Sequence, residues 1–217
     1  MKLFIDSGNI KDIETLAAIG INDGVTTNPT LLAKEPGDVR QNLKKICDIV
    51  KGPVSGEVTA TDFAGMMREG HDIAAIDEHM IVKVPLTRDG IKACKSLSGE
   101  GIRVNVTLCF SAAQALLAAK AGATYVSPFV GRLDDIATNG MDLIREIVDI
   151  YSNYDFATEV LVASCRHPIH VTEAARMGAD IATCPPAVID QMFNHPLTSI
   201  GLEKFLKDWE KSQAVKA

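Results

Sequence analysis

The sequence predicts a single (β/α)8 barrel, an α/β fold, with one extra C-terminal helix. Short β-branched runs alternate eight times with longer amphipathic stretches, and no shift in composition divides the 217 residues. Two segments also repeat one structural unit, because residues 121–126 and 177–182 each end a helix at a glycine and begin a strand. Consecutive parallel strands need crossover connections, and eight of them close a sheet into a TIM barrel. A doubly wound open sheet is the structural alternative.

The strand runs are short and rich in Val, Ile and Thr, as the buried strands of a parallel sheet are. They cover residues 3–5, 24–26, 54–58, 80–84, 102–106, 124–127, 158–162 and 180–183. The amphipathic stretches suit crossover helices, and the clearest of them cover residues 39–50, 63–76, 90–97, 111–121, 133–151 and 169–177. We therefore expect one barrel domain, the catalytic domain, over residues 1–196.

The segment after the barrel, residues 197–217, is expected to form a separate amphipathic helix. His195-Pro196 breaks the eighth barrel helix, and an apolar stripe follows it, made of Leu202, Phe205, Leu206 and Trp209. Such a stripe needs a cover, either its own barrel or a neighbouring subunit. A closed barrel leaves little unburied surface, which favours an oligomer contact.

Composition argues against several classes of partner and against an oxidising compartment. The net charge is −6 without any Lys/Arg block, which argues against nucleic acid and anionic membrane as partners but permits a small anionic substrate. The five cysteines are widely spaced and form no CxxC, so neither a disulfide framework nor a zinc site is indicated. No apolar run approaches ~20 residues, and no signal-peptide pattern precedes the first strand. We expect a cytoplasmic protein.

Lys83 is the residue that points most directly to chemistry. It lies inside the apolar strand run at residues 80–85, MIVKVP. Burial disfavours a charged ammonium group, so this position favours a neutral, nucleophilic amine that forms a Schiff base with a carbonyl compound. The structural alternative is a lysine that extends from the strand end into solvent.

Polar residues also end the other strand runs, and in a barrel the carboxyl ends of all strands share one rim. This predicted rim carries carboxylates, hydroxyls, amides and guanidinium groups: Asp6, Thr26, Thr27, Asn28, Glu57, Asn105, Thr107, Ser127, Arg132, Ser164 and Arg166. The two arginines at one end favour phosphate binding. Three alternatives remain open: Asp6 could cap the first helix, Glu57 could form a structural ion pair with Lys83, and the arginines could be solvated loop residues.

No metal or cofactor is expected. His167 and His170 have the spacing of neighbours on a helix face, but Pro168 lies between them and no third ligand is evident. We interpret both as residues at a helix start. No Walker or GxGxxG pattern appears, and no histidine is placed to activate a cysteine near the rim.

Seven motifs in fixed order resemble the transaldolase family. They read LFIDSGN, GVTTNPTLL, SGEVTA, IVKVPLT, VNVTLCFS, YVSPFVGRLDD and VASCRHP, and together they span nearly the whole chain. The resemblance is to the small, single-barrel branch, which also includes the fructose-6-phosphate aldolases. It implies homo-oligomers built as five-fold rings, either pentamers or decamers of stacked rings.

The resemblance also implies a metal-free class I aldol mechanism on sugar phosphates. In it Lys83 forms an iminium with the ketone, and Asp6 takes the proton of the C4 hydroxyl. Glu57 and Thr107 act through a bound water during formation and loss of the carbinolamine. The residues implied in substrate binding are Asn28, Asn105 and Ser127 for the dihydroxyacetone unit and Arg132, Ser164 and Arg166 for the phosphate. Thr26 and Phe129 are also implied in substrate binding.

Two positions separate transferase from aldolase within this family. By this resemblance, the chain has Glu57 and Phe129 where the aldolase branch has Gln and Tyr. A phenol helps to protonate and release free dihydroxyacetone, whereas Phe129 has no proton to donate. The expected function is therefore a transaldolase, with a fructose-6-phosphate aldolase or a non-catalytic sugar-phosphate-binding barrel as alternatives.

Overall fold

A computed structural model describes residues 1–216 and contains eight parallel strands closed into a barrel. The strands are β1 (Lys2–Asp6), β2 (Gly24–Thr26), β3 (Val54–Glu57), β4 (Met80–Pro85), β5 (Val104–Cys109), β6 (Tyr125–Pro128), β7 (Glu159–Val162) and β8 (Ile181–Cys184). Strand β1 pairs with β2 on one side and with β8 on the other. This closure confirms the predicted barrel and excludes the open sheet.

The helices surround the barrel, and most begin at a side-chain cap. They are α1 (Ile10–Ala17), α2 (Pro29–Leu32), α3 (Val39–Val50), α4 (Phe63–Ala74), α5 (Arg88–Gly99), α6 (Ala112–Ala121), α7 (Val130–Asp134), α8 (Gly140–Tyr151), α9 (Pro168–Met177), α10 (Pro186–Phe193) and α11 (Pro196–Lys216). The cap of α1 is Asn9, whose side chain accepts a hydrogen bond from the amide of Asp12. The alternative that Asp6 caps this helix is therefore excluded.

The single helix predicted over residues 133–151 is wrong, because the chain forms two helices there. Helix α7 ends at Asp134, Ala137 adopts a left-handed backbone with φ of 59°, and Asn139 caps α8. The Asp134 carboxylate accepts a hydrogen bond from the amide of Gly140 at 2.8 Å, which holds this turn. The apolar periodicity continues across the break, so the pattern alone did not reveal it.

Alternate residues of each strand point into the barrel, where they form layers. The middle layer is apolar and consists of Phe4, Ile81, Tyr125, Leu161, Ala163 and Ile181, with Phe129 packed above it. At the lower end Lys2 and Glu159 form an ion pair at 2.7 Å. Gly24 permits this packing, because a Cβ there would lie 2.6 Å from the Phe4 ring.

The upper layer is polar, since the inward positions at the carboxyl ends of the strands carry the predicted rim residues. Register places Asp6 beside Thr26, Glu57 beside Lys83 and Lys83 beside Asn105. A larger apolar core lies between the strands and the surrounding helices. An apolar layer therefore separates the polar layer at the carboxyl ends of the strands from the ion pair at their other end.

Helix α11 leaves its apolar side chains exposed. Phe205 is 72% and Trp209 63% exposed, and Leu202 and Leu206 are more than half exposed. The barrel of the same chain therefore does not cover this stripe. Ala217, the last residue of the predicted helix, lies outside the described residues. Within residues 1–216, no helix combines the length and hydropathy needed to cross a membrane.

Candidate active site

Lys83 lies at the centre of the polar layer and is 5% exposed. Its Nζ donates to the carbonyl oxygen of Thr27 at 2.9 Å and lies 2.9 Å from Oε2 of Glu57. The structural alternative, a lysine that extends into solvent, is therefore excluded. The Glu57 partner provides an acceptor for an ammonium proton, so the pair can deliver a neutral amine to a ligand.

Asp6 occupies the end of β1 and faces Lys83 across the polar layer. Its Oδ1 accepts a hydrogen bond from Thr26 Oγ1 at 2.8 Å. Burial raises the pKa of the Asp6 carboxyl, and the Thr26 hydrogen bond and the charge of Lys83 oppose this increase only in part. A carboxylate with a raised pKa is a stronger general base.

Two adjoining cavities open above this layer, with volumes of about 180 Å³ and about 430 Å³. Both are lined by Asp6, Asn28, Lys83, Thr107, Phe129 and Arg132. The smaller, inner cavity also contacts Thr26, Ser127, Ser164, Arg166 and Thr183, and the larger, outer cavity contacts Glu57. The amine therefore reaches both cavities, with acids on one side and guanidinium groups on another.

Amides and hydroxyls form one wall of the site. Asn28 caps α2 and lines the cavity, and its Oδ1 accepts from the Leu31 amide at 2.9 Å. Its side-chain NH2 donates to no described residue, so it can donate to a ligand. Ser127 Oγ donates to Asn105 Oδ1 at 2.7 Å. Asn105 itself is fully buried, donates to Ser55 Oγ, and does not line either cavity. The structure thus places Asn105 behind Ser127.

Thr107 presents a hydroxyl that no described residue uses. The residue is 1% exposed, and its Oγ1 has no hydrogen-bond partner among residues 1–216 although it lines both cavities. A buried polar atom without a protein partner indicates a ligand or ordered water at this position. The next residue, Leu108, has φ of 59°, and the register between β5 and β6 shifts there, so a bulge sets the end of this strand.

The cationic end of the site is formed by α7 and the loop after β7. Ser164 has φ of 61°, and its carbonyl accepts from the amide of Gly131 at 3.1 Å. A Cβ at Gly131 would lie 2.3 Å from that carbonyl oxygen and 2.5 Å from Nε of Arg166, so only glycine permits this approach. Arg132 lies over the Phe129 ring at 5.3 Å, and Arg166 lines the inner cavity. Both guanidinium groups therefore face the space above Lys83.

His170 supports this loop through a hydrogen bond to its backbone. His170 Nδ1 accepts from the backbone amide of Arg166 at 3.2 Å, and its Nε2 lies 3.0 Å from Asp134 Oδ2. Burial lowers the pKa of His170, which favours the neutral ring that this acceptor role requires. His167 is the N-cap residue of α9, as the helix-start interpretation predicts. Among residues 1–216, no three His, Cys, Asp or Glu side chains come together as a metal site requires.

Thr183 is the site residue that sequence reasoning missed. It is inward-facing on β8, 2% exposed, lines the inner cavity, and its Oγ1 lies 2.6 Å from Thr26 Oγ1. The rule that identified the other rim residues, a polar side chain ending a strand, applies equally to strand eight. Leu161 and Ala163 also line this cavity, but apolar strand residues carry no signal that separates them from the core.

Comparisons with known proteins identify the family of this chain and a shared fold. A sequence model of the family described as Transaldolase/Fructose-6-phosphate aldolase matches residues 3–216. Among solved structures, thiamine phosphate pyrophosphorylase from Pyrococcus furiosus superposes with a TM-score of 0.60 over 86% of each chain at 16% sequence identity, which shows the barrel fold alone.

Curated relatives carry the name "Probable transaldolase". The protein from Kosmotoga olearia is 57% identical over 97% of both chains. The one from Nitrosopumilus maritimus is 58% identical over 99% of this chain and 97% of its own length, and the one from Methanococcus vannielii is 59% identical over 97% and 98%. This chain therefore belongs to the transaldolase/fructose-6-phosphate aldolase family.

Proposed function

We propose that this protein is a transaldolase, which transfers a dihydroxyacetone unit between sugar phosphates through a Schiff base on Lys83. The reaction converts sedoheptulose 7-phosphate and glyceraldehyde 3-phosphate into erythrose 4-phosphate and fructose 6-phosphate, a step of the pentose phosphate pathway. The observation that carries this proposal is the buried Lys83 amine, 2.9 Å from Glu57, below a cavity with two arginines in its lining.

The first stage is attack of Lys83 on the ketone carbon of the donor. Glu57 accepts a proton from the ammonium group, and the freed amine adds to the carbonyl to give a carbinolamine. Loss of water then leaves an iminium, and Glu57 returns the proton that this step needs. Thr107 assists through a bound water, because its hydroxyl has no partner among the described residues and faces the same space.

The second stage breaks the carbon–carbon bond. Asp6 removes the proton of the donor C4 hydroxyl, and the bonding electrons move into the iminium to give an enamine. The raised pKa of Asp6 suits this role, because a stronger base takes more of the proton in the transition state. The aldose product leaves, and the enamine adds to an incoming aldehyde by the reverse steps.

The two ends of the cavity bind the two ends of the donor. Asn28, Ser127 and Thr26 hold the dihydroxyacetone part, and Asn105 acts from behind by fixing the Ser127 hydroxyl. The phosphate lies between Arg132, Arg166 and Ser164, which positions the reacting carbons at the amine. No cofactor or metal takes part in these steps.

Glu57 and Phe129 favour transfer over simple cleavage. The Phe129 ring packs against Phe110 at 5.8 Å and lines both cavities, so an apolar face lies beside the enamine. Without a phenolic donor there, the enamine persists until an aldehyde arrives. The second candidate, a fructose-6-phosphate aldolase, predicts release of free dihydroxyacetone from fructose 6-phosphate without any acceptor. A coupled assay with and without erythrose 4-phosphate separates the two.

The non-catalytic alternative is a barrel that only binds sugar phosphates. Calorimetric binding of fructose 6-phosphate without turnover, and with equal affinity in Lys83→Met, would support it. Turnover that depends on an acceptor and is abolished in Lys83→Met supports the transaldolase.

We also propose that the protein acts in the cytoplasm as a homo-oligomer, either a pentamer or a decamer. The five cysteine thiols are all free and buried, which favours a reducing compartment. The exposed apolar stripe on α11 favours contact with a second copy of the chain.

A further inference from the structure

We propose that Thr183 is a positioning residue that holds Asp6 in its ionised form by donating a hydrogen bond through Thr26. This inference rests on the proposed role of Asp6 as the general base. It concerns three side chains on neighbouring strands, β8, β1 and β2, which meet at the wall of the inner cavity.

Short hydrogen bonds join the three side chains into one chain. Thr183 Oγ1 lies 2.6 Å from Thr26 Oγ1, which lies 2.8 Å from Asp6 Oδ1. Thr26 is 3% and Thr183 2% exposed, so bulk solvent does not compete for these hydroxyls. The barrel register fixes the positions, since Asp6 pairs with Thr26 and Thr183 pairs with Phe4, two residues before Asp6.

The direction of donation along these hydrogen bonds follows from the number of hydroxyl protons available. An ionised carboxylate only accepts hydrogen bonds, so Thr26 must donate its single hydroxyl proton to Asp6. Its oxygen is then free only to accept, and Thr183 must be the donor in the bond at 2.6 Å. Each donation polarises the next hydroxyl, which strengthens the bond to the carboxylate.

Protonation of Asp6 removes the reason for this direction. A neutral carboxyl can donate to Thr26, which can then donate to Thr183, so the same atoms support both proton states of the base. The ionised state gains more, because a hydrogen bond to a charged acceptor is stronger than one between neutral groups. Thr183 therefore lowers the pH at which the base becomes available.

Other charged or titratable groups also face Asp6. Lys83 on β4 stabilises its charge, and Glu57 on β3 opposes it. The thiol of Cys165 lies near Asp6 from the loop after β7 and contacts the thiol of Cys184 on β8. Within residues 1–216, the Thr183 hydroxyl forms no hydrogen bond with any of these groups, so the direct effect of a change at Thr183 falls on its bond to Thr26.

The test is the pH dependence of kcat/KM for dihydroxyacetone transfer in Thr183→Val. The acidic limb of the profile should move to higher pH by about half a unit, the size expected for loss of one neutral hydrogen bond. Borohydride trapping of the donor on Lys83 should remain at the wild-type level, because iminium formation does not use Asp6. Thr183→Ser should restore the wild-type profile, since it keeps the hydroxyl.

Thr158→Val is the matched control. Thr158 is 6% exposed, and its hydroxyl donates to the carbonyl oxygen of Ala123 at 2.6 Å at the opposite end of the barrel. Thr158→Val removes a buried threonine hydrogen bond that lies away from the site. The acidic limb of the pH profile of this variant should therefore stay at the wild-type pH. Thr183→Ala makes the same deletion with less bulk if the valine variant does not fold.

Three results would overturn the inference. An unchanged acidic limb in a folded Thr183→Val or Thr183→Ala variant contradicts it, as does an equal shift in Thr158→Val. A Thr183→Ser variant that shifts like the valine variant shows that the methyl group, rather than the hydroxyl, matters. If the wild-type protein gives neither transfer nor a borohydride adduct, the proposed function fails and this inference with it.

Discussion

Asp135 Oδ2 lies 2.8 Å from Nη2 of Arg166 at the cationic end of the site. Both side chains are about half exposed, so the pair contributes little to stability. The pairing nevertheless occupies a guanidinium group that the proposed mechanism assigns to phosphate. A donor phosphate that approaches Nη2 of Arg166 would compete with Asp135 for that nitrogen.

Asp135→Asn should lower KM for fructose 6-phosphate by about two- to fivefold with little change in kcat, the range of an exposed ion pair. The measurement is steady-state kinetics at low ionic strength, where such pairs are strongest. The matched control is Asp142→Asn, because Asp142 forms an exposed pair with Arg145 at 3.4 Å on α8, away from the site. A higher KM in Asp135→Asn would show instead that Asp135 orients Arg166 for binding.

The buried Asp6 carboxylate should destabilise the folded protein at neutral pH. The pKa of the Asp6 carboxyl is higher in the folded than in the unfolded chain. The carboxyl therefore contributes most to stability below its unfolded pKa, and this contribution is lost as the pH rises through its folded pKa. Asp6→Asn should therefore melt at a higher temperature than the wild type at pH 7, and the difference should shrink as the pH falls.

The same Asp6→Asn variant should lose at least about 100-fold in transfer activity, the usual contribution of a general base. Thermal melts at several pH values, together with assays at pH 7, check both effects. A lower melting temperature at neutral pH would contradict the destabilising effect of the buried carboxylate.

Gly131→Ala should impair phosphate binding. The added Cβ would lie 2.3 Å from the Ser164 carbonyl oxygen and 2.5 Å from Arg166 Nε, so the loop that carries both residues must shift. We expect kcat/KM for phosphorylated donors to fall by roughly 10- to 100-fold, as misplacement by about 1 Å does. Unphosphorylated fructose should be affected much less.

Gly99→Ala is the control for Gly131→Ala, because a Cβ at Gly99 meets nothing within 4 Å. It should keep wild-type kinetics with both substrates. Equal losses with fructose and fructose 6-phosphate in Gly131→Ala would indicate general distortion of the barrel rather than loss of the phosphate site.

Helix α11 should hold the oligomer together. Phe205 is 72% exposed within the isolated chain, and a charge there should prevent packing against a second copy. Phe205→Glu should therefore sediment as a smaller species than the wild type in analytical ultracentrifugation. Tyr154→Glu, at a residue 60% exposed elsewhere on the surface, should leave the mass unchanged. A monomeric wild-type protein would contradict this prediction.

Much of the site was predictable because the barrel imposes a simple rule. Period-two alternation and the shared rim bring Asp6, Glu57 and Lys83 together. Asp6 and Glu57 are polar residues at strand ends, and Lys83 is a charged residue inside an apolar strand run. The pairing of Glu57 with Lys83 follows from the register of β3 and β4.

Other features depend on distances that no local pattern encodes. Asn105 is a polar strand residue like the other predicted rim residues, but it is the second residue of β5. Its side chain is hydrogen-bonded to Ser55 and Ser127 and lines neither cavity. The break between α7 and α8 arises from a turn held by Asp134, within a continuous apolar periodicity. The contact between Asp135 and Arg166 joins two loops 31 residues apart and requires the folded barrel.

Mass spectrometry of the protein after borohydride reduction in the presence of fructose 6-phosphate shows directly whether Lys83 forms the Schiff base. We expect a covalent dihydroxyacetone or sugar-phosphate adduct on the peptide that contains Lys83, and none in Lys83→Met. An adduct on a different side chain, or no adduct in an active wild-type enzyme, would contradict this expectation.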